Sequence, residues 1–226
     1  MDSIIFLAFA AIYAALLVWG ISLAAKQGRW WTPANIPLLV IAALVYDNLI
    51  IGIGRWIGEG ALLEGLNLAR FWIHAAVTPL LAAWALHAIR RAGFGWAQAR
   101  WYQVVSITAA VALMIGEYFW ELQGLQIVPN EEYGALSYGS AEPPSGPPIM
   151  VLFVAAFLLF AGGMVWWKQK WPWLFIGAVI MTIGSAVQLP IESGAITNAF
   201  ELILLISILA TKAFQDRNDE QTPVHG

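Results

Sequence analysis

Seven stretches of the 226-residue chain are apolar over the length that a helix needs to cross a bilayer, about 20 residues. They cover roughly 3–25, 35–54, 71–89, 101–120, 148–167, 172–190 and 194–212. Only 11% of the residues are charged and 60% are hydrophobic. A soluble domain carries about 25% charged residues, so lipid is the solvent for most of this chain. The expected fold is all-α: a polytopic membrane bundle of seven transmembrane helices over residues 1–214, with a disordered cytoplasmic tail at 215–226. No separate soluble domain fits into this length.

Polar and turn-forming segments divide the stretches at 26–33, 54–67, 90–100, 124–148, 168–172 and 190–194. Lys and Arg gather in cytoplasmic loops. Alternate segments sort them sharply, with Lys26, Arg29, Arg90, Arg91, Arg100, Lys168, Lys170, Lys212 and Arg217 on one side and only Arg55 and Arg70 on the other. The expected N-terminus is therefore outside and the C-terminus cytoplasmic, in a multi-pass protein of a cell membrane, the bacterial plasma membrane. Met1-Asp2-Ser3 has no basic region and no small-residue cleavage site follows, so the first helix is expected to be retained rather than cleaved as a signal peptide. Most of the thirteen tryptophans fall at helix ends, as an interfacial aromatic belt requires. The 124–148 segment, rich in Pro, Gly and Glu, reads as a flexible connection or as a lid over the outer end.

Several function classes drop out. Without cysteine there is no thiol chemistry, and three histidines, one in the tail, do not make a multi-His metal site. A net charge of -3 does not call for nucleic acid. A retinal protein needs a mid-helix lysine, and Lys212 stands at the cytoplasmic end of the last helix. A proton-coupled transporter is expected to show an internal repeat, and none is visible.

Ionisable groups in a span are costly and face the bundle interior or a water-filled cavity. Given the orientation, Asp47, Arg70, His74, Glu117, Glu121, Gln188 and Glu192 all fall toward the outer end, while Glu201 lies about 13 Å deeper than Glu192 at 1.5 Å per residue. Arg70, His74 and Thr78 share one helix face, as do Glu117 and Glu121. Two glutamates one turn apart repel when both ionise, and one that keeps its proton can act as an acid. Tyr46, Phe71, Trp72, Tyr118, Phe119 and Trp120 neighbour these charged groups in sequence, which would wall a pocket with aromatic faces that stabilise cations. Such a pocket suits protonation of an alkene or epoxide and steering of the carbocation; it equally suits passive binding of a long isoprenoid or lipid. Glu121, Arg55, Arg70 and Glu192 also read as ordinary boundary charges, and Asp47 with Arg70, or His74 with Glu117, as interhelical ion pairs. His87 reads as structural.

Tyr46-Asp47-Asn48, followed by Gly54-Arg55-Trp56, resembles the Trp-Asp-Asn and Gly-x-Trp elements of the lycopene cyclase domain, the small membrane carotenoid cyclases of bacteria and fungi. Leu189-Pro190-Ile191-Glu192 resembles the Pro-x-Glu part of a second element of that family. Integral-membrane meroterpenoid cyclases are similar in size, in seven-helix topology and in their use of intramembrane carboxylates. Where the carotenoid cyclases open a helix with paired glutamates, this chain has Asn67-Leu68-Ala69-Arg70. The resemblance thus implies a cyclase with a relocated acid.

The expected catalytic residues are Asp47, Glu117, Glu121, Glu192 and Glu201, and the expected substrate-binding residues Tyr46, Asn48, Arg70, Trp72, His74, Tyr118, Trp120 and Gln188. No metal or cofactor is expected, because no aspartate-rich diphosphate motif is present. The expected partners are the bilayer and a hydrophobic isoprenoid or lipid substrate, with the oligomeric state open. A non-enzymatic subunit or a lipid- or pigment-binding scaffold is the alternative; it would present Gly177 and Gly184 to partner helices.

Overall fold

Proline and glycine set the ends of the first helices. In the computed structural model, which describes residues 2–132, 134–142, 149–186 and 194–221, α1 spans Asp2–Gln27. Thr32 then caps a short 3-10 turn, Pro33–Asn35, through a 3.4 Å bond from the Ala34 N–H to its hydroxyl. The turn leads into α2, Ile36–Ile57, with Pro37 in the first turn, where no N–H partner is required. Gly58 and Gly60 adopt φ of 79° and 146°, open to a residue without Cβ, and swing the chain into α3, Ala61–Val77. Pro79 cannot donate to the carbonyl four residues before it. The rod breaks there, and α4 continues as Leu80–Arg91.

α5, Arg100–Glu117, widens into a π turn over Tyr118–Leu122, closed by a 2.7 Å bond from the Gln123 N–H to the Tyr118 carbonyl. An antiparallel hairpin follows, β1 Ile127–Glu132 and β2 Ala135–Ser140, with Ile127 opposite Ser140 and Glu132 opposite Ala135. The chain ends with α6 Ile149–Gln169, α7 Trp173–Ala186 and α8 Gly194–Gln221.

Among the described residues, six helical segments are long and apolar enough to cross a membrane: Asp2–Gln27, Pro33–Ile57, Ala61–Arg91, Arg100–Leu122, Ile149–Gln169 and Gly194–Gln221. α7 is apolar but shorter. Lipid tails are as apolar as leucine, so such helices associate by close packing and polar contacts rather than by escape from water. Small residues provide the close approach. A Cβ at Gly162 would stand 2.6 Å from the Phe175 backbone, and Cβ atoms at Gly177 and Gly184 would run into Ser207 and the Phe200 ring. Both α7 glycines therefore pack inside the bundle, against α8. α4 lies at the centre, burying Leu81, Trp84, Ala85 and Ile89 in one core with Tyr13, Ile41, Leu158 and Ile208. α5 is the least buried of the six segments.

The two ends of the bundle differ in charge. α1, α4, α6 and α8 finish, and α2, α5 and α7 begin, at an end that holds nine of the eleven Lys and Arg residues. The hairpin closes the other end. Ser3 donates to the Gly134 carbonyl at 2.9 Å, and the Gly60 N–H donates to the Tyr138 hydroxyl at 3.0 Å. The Leu136 carbonyl sits on Gly54 so closely that no Cβ fits there. Ile50, Leu63 and Tyr138 form a small core beneath β2.

Three expectations change. Of the 54–67 segment only residues 58–60 connect, because α2 runs to Ile57 and α3 begins at Ala61. Its exposed Glu64 makes it read as a loop, although Leu63 and Asn67 are buried. The 124–148 segment contains a hairpin, so the described chain is not purely helical. The expected tail is helical as far as Gln221, because the buried Gln215 and Asp216 hold it to the bundle; residues 222–226 lie outside the described part.

Candidate functional site

Asp47 on α2 and Arg70 on α3 meet at 2.7 Å, Oδ1 to Nε. A second guanidinium nitrogen of Arg70 donates to Asn67 Oδ1 at 2.6 Å, and the Asn67 amide donates to the Leu63 carbonyl at 2.8 Å. Arg70 is thus held by a carboxylate and an amide, which fixes its plane. The Tyr46 hydroxyl donates to the Leu66 carbonyl at 3.0 Å, latching α2 to α3 beside the pair. The pair is part-buried, with the Arg70 and Asp47 side chains 15% and 26% exposed, and it ties α2 to α3.

The pair also borders open space. A deep cavity of about 70 Å³ is lined by Asp47, Arg70, His74, Thr78 and Glu201 among aliphatic side chains such as Leu44, Val154 and Leu205. A second, of about 250 Å³, is bounded by Asp47, Arg70, Phe71, His74, Glu117 and Glu121. A third, of about 360 Å³, lies under the hairpin, between Asn130, Ser137 and Tyr138 on one side and Asp47, Arg70 and Asn198 on the other. Asp47 and Arg70 line all three.

The break at Pro79 and the π turn place the remaining groups. His74 and Thr78 close the last turn of α3 before the break, 3.3 Å apart from ring Nδ1 to hydroxyl. The π turn carries Glu121, and Glu117 stands at its start, so both carboxyls line the second cavity. π turns recur at functional sites. Glu117 is 5% exposed, and its Oε2 has no hydrogen-bond partner. Glu201, from α8, makes no hydrogen bond to a described residue. The acids therefore outnumber the cations. Among the described residues Arg70 is the only Lys or Arg lining these cavities and is already paired with Asp47, which leaves Glu117, Glu121 and Glu201 without such a counter-charge there. Charging a carboxyl in an apolar cavity without a partner is costly, so the arrangement suits acids that hold and pass protons.

Of the aromatic residues expected around these groups, Phe71 lines the second and third cavities, and the others stand elsewhere. Trp72, Tyr118 and Trp120 are each about half exposed, with Trp72 and Tyr118 paired at 6.2 Å between ring centroids on the outside of the bundle. Tyr118 and Trp120 stand at the end of α5, as interfacial-belt residues do, whereas Trp72 stands within α3. Tyr46 spends its hydroxyl on the backbone. Phe71 is the one described aromatic in the second cavity, and Phe6 and Tyr138 join it under the hairpin. Asn48 also points away from the cavities. It is fully buried and donates to Asn198 Oδ1 at 2.7 Å, while the Tyr13 hydroxyl donates to the Asn198 carbonyl at 2.9 Å. These three residues clasp α1, α2 and α8. Gln188 and Glu192 lie outside the described residues. Among the described residues no group of His, Asp or Glu is arranged to hold a metal ion.

Two polar groupings had no role in the sequence reading. Asn67 and Asn198 organise the site, and a buried, apolar-flanked Asn at helical spacing from its partner was the available signal. At the opposite end, Arg91 donates to Asp216 at 2.8 Å and to Asp219 at 2.7 Å, and Lys212 donates to the second oxygen of Asp216. Gln215 adds bonds of 3.0 Å to the Ala88 carbonyl and to Gln169. The Lys212 to Asp216 spacing of one turn was legible, but the tail's polarity concealed it.

Compared with known protein families, curated proteins and solved structures, the chain matches none.

Proposed function

We propose that the chain is a seven-span membrane protein, with its hairpin end outside and its basic end cytoplasmic, that isomerises or cyclises a hydrophobic isoprenoid by acid–base chemistry. The observation that carries this reading is Glu117: a buried carboxyl with an unpartnered oxygen, facing a cavity beside a fixed ion pair. As the neutral acid, Glu117 donates its proton to an alkene carbon or an epoxide oxygen. The alkene π pair forms the new C–H bond, or the protonated epoxide breaks a C–O bond and leaves a hydroxyl, and the Asp47 carboxylate, which lines both inner cavities, stabilises the resulting carbocation. A proton then leaves the adjacent carbon for Asp47 or for Glu201 in its ionised form. One proton enters and one leaves, so the reaction is redox-neutral. His74, which borders both inner cavities, or entering water returns the proton to Glu117. The mostly aliphatic walls favour charge stabilisation by carboxylates over stabilisation by aromatic faces.

The seventh span rests on α7. Gly177 against Ser207 and Gly184 against Phe200 set α7 antiparallel to α8, and its 14 residues reach about 21 Å at 1.5 Å per residue. The charge split between the two ends supports the orientation.

The test is to express the protein in membranes, supply prenylated and epoxidised isoprenoids and analyse the products. Conversion that disappears in Glu117→Gln while the protein still folds supports the reading. Absence of conversion together with a co-purifying pigment or subunit favours a binding scaffold. Gly177 and Gly184, which a scaffold would offer to partners, are used within the bundle.

A further inference from the structure

A cavity roomier than these three lies away from the proposed site, at the basic end. It measures about 460 Å³ and runs between α4 and α5, walled by Leu80, Ala83, Ile107, Ala110, Val111 and Met114. Arg90, Gln103 and His87 line its polar end. From Leu80 to Arg90 along α4 is about 15 Å at 1.5 Å per residue, so the groove is a long apolar slot with a cation at one end.

Arg90 differs from its neighbour. Arg91 is bound to Asp216 and Asp219, whereas no carboxylate among the described residues lies within ion-pairing distance of Arg90. Neutral amides hold it instead. Arg90 Nε donates to Gln98 Oε1 at 3.2 Å, and the Gln98 amide returns a 2.8 Å bond to the Arg90 carbonyl. With its oxygen turned inward, the Gln103 amide accepts from the same guanidinium. The side chain is therefore positioned but not neutralised. Trp96 and Trp101, each about half exposed, stand at the same end, as residues at the headgroup level of a bilayer do.

We propose that this groove binds an anionic glycerophospholipid from the bilayer, with its phosphate on Arg90 and one acyl chain along the slot between α4 and α5. The guanidinium fork matches phosphate oxygens, and basic pockets between spans recognise anionic headgroups in this way. The apolar length beyond Arg90 separates a lipid from a free anion, because inorganic phosphate would leave the slot unfilled. The proposal does not depend on the chemistry at Glu117.

The experiment uses the full-length protein, delipidated in detergent. Thermal unfolding and native mass spectrometry are recorded with phosphatidylglycerol, with phosphatidylcholine of the same chains, and with inorganic phosphate. Phosphatidylglycerol is expected to raise Tm and stay bound, while the other two do neither. Arg90→Gln is expected to weaken phosphatidylglycerol binding about fivefold or more, the scale of one basic contact with an anionic lipid. Arg100→Gln, a charge at the same end outside the groove, is expected to retain it. Ala83→Phe fills the slot and leaves the cation, so it too is expected to lose the lipid, and it decides the matter if Arg90→Gln does not fold. Equal stabilisation by phosphatidylcholine, an equal effect of inorganic phosphate, or wild-type retention in Arg90→Gln or Ala83→Phe would overturn the proposal.

Discussion

The bundle buries ionic groups at both ends, but on opposite terms. At the basic end Asp216 receives Arg91 and Lys212 on its two oxygens, and Gln215 ties the same stretch of α8 to α4 and Gln169. Around Asp216 each buried charge has a partner. At the hairpin end one salt bridge, Asp47 with Arg70, stands among three further carboxyls and borders three cavities. Paired and packed charge holds helices together. Surplus acid beside empty space is poor at that task, because each unpaired group costs free energy that no packing contact returns. The difference sets the Asp216 cluster apart as a fastening and supports the proposal that the acids at the hairpin end serve a site.

Substitutions can break that contrast. The largest effect is expected from Glu117→Gln. Loss of a general acid lowers a rate by about 10²–10⁴-fold, so product formation should fall by that factor while thermal stability in detergent stays unchanged or rises. A large loss of stability instead would mean that Glu117 belongs to the fastening. Asp216→Ala is expected to act in reverse: it strands the buried Lys212 and leaves Arg91 only the exposed Asp219, costing about 3–5 kcal/mol of stability, visible as a lower Tm, and leaves turnover per folded molecule intact. Gly54→Ala comes next. The added methyl meets the Leu136 carbonyl and should cost about 1–3 kcal/mol, as overpacking does, with faster proteolysis of the displaced hairpin as the readout. The smallest change is expected from Asn48→Ala, which removes its bond to Asn198; such interhelical bonds in membranes are worth about 0.6–1.7 kcal/mol. If that variant loses activity out of proportion to Tm, the clasp of α1, α2 and α8 also shapes the cavities.

How much of this was legible beforehand varies with the kind of signal. Apolar length is a strong signal, and each of the seven stretches is helical where described. Depth along a helix is also readable, which is why Asp47, Arg70, His74, Glu117 and Glu121 could be expected to stand near one another. Polarity misleads where a polar residue is satisfied internally. Asn67 gives its amide to the backbone and its oxygen to Arg70, so the opening turns of α3 read as loop yet are helix. Gln215 and Asp216 read as tail for the same reason. Strand pairing between residues 127 and 140 depends on docking against Gly54 and Gly60, which no local pattern reveals. Sequence neighbours were taken as spatial neighbours for Trp72, Tyr118 and Trp120, but side chains next to an inward residue on a helix point elsewhere, and these face outward.

The hairpin has a consequence for how ligand concentration is to be reckoned. Held by Ser3, Gly54 and Gly60, it covers the aqueous approach to Asp47 and Arg70. A hydrophobic substrate of the kind proposed would then arrive sideways, past α5, the least buried of the six segments, after dissolving in the bilayer. Saturation of the site would follow mole fraction in the lipid rather than molarity in the buffer. Diluting the membrane with inert lipid at constant total substrate should therefore slow turnover, whereas diluting the aqueous phase should not.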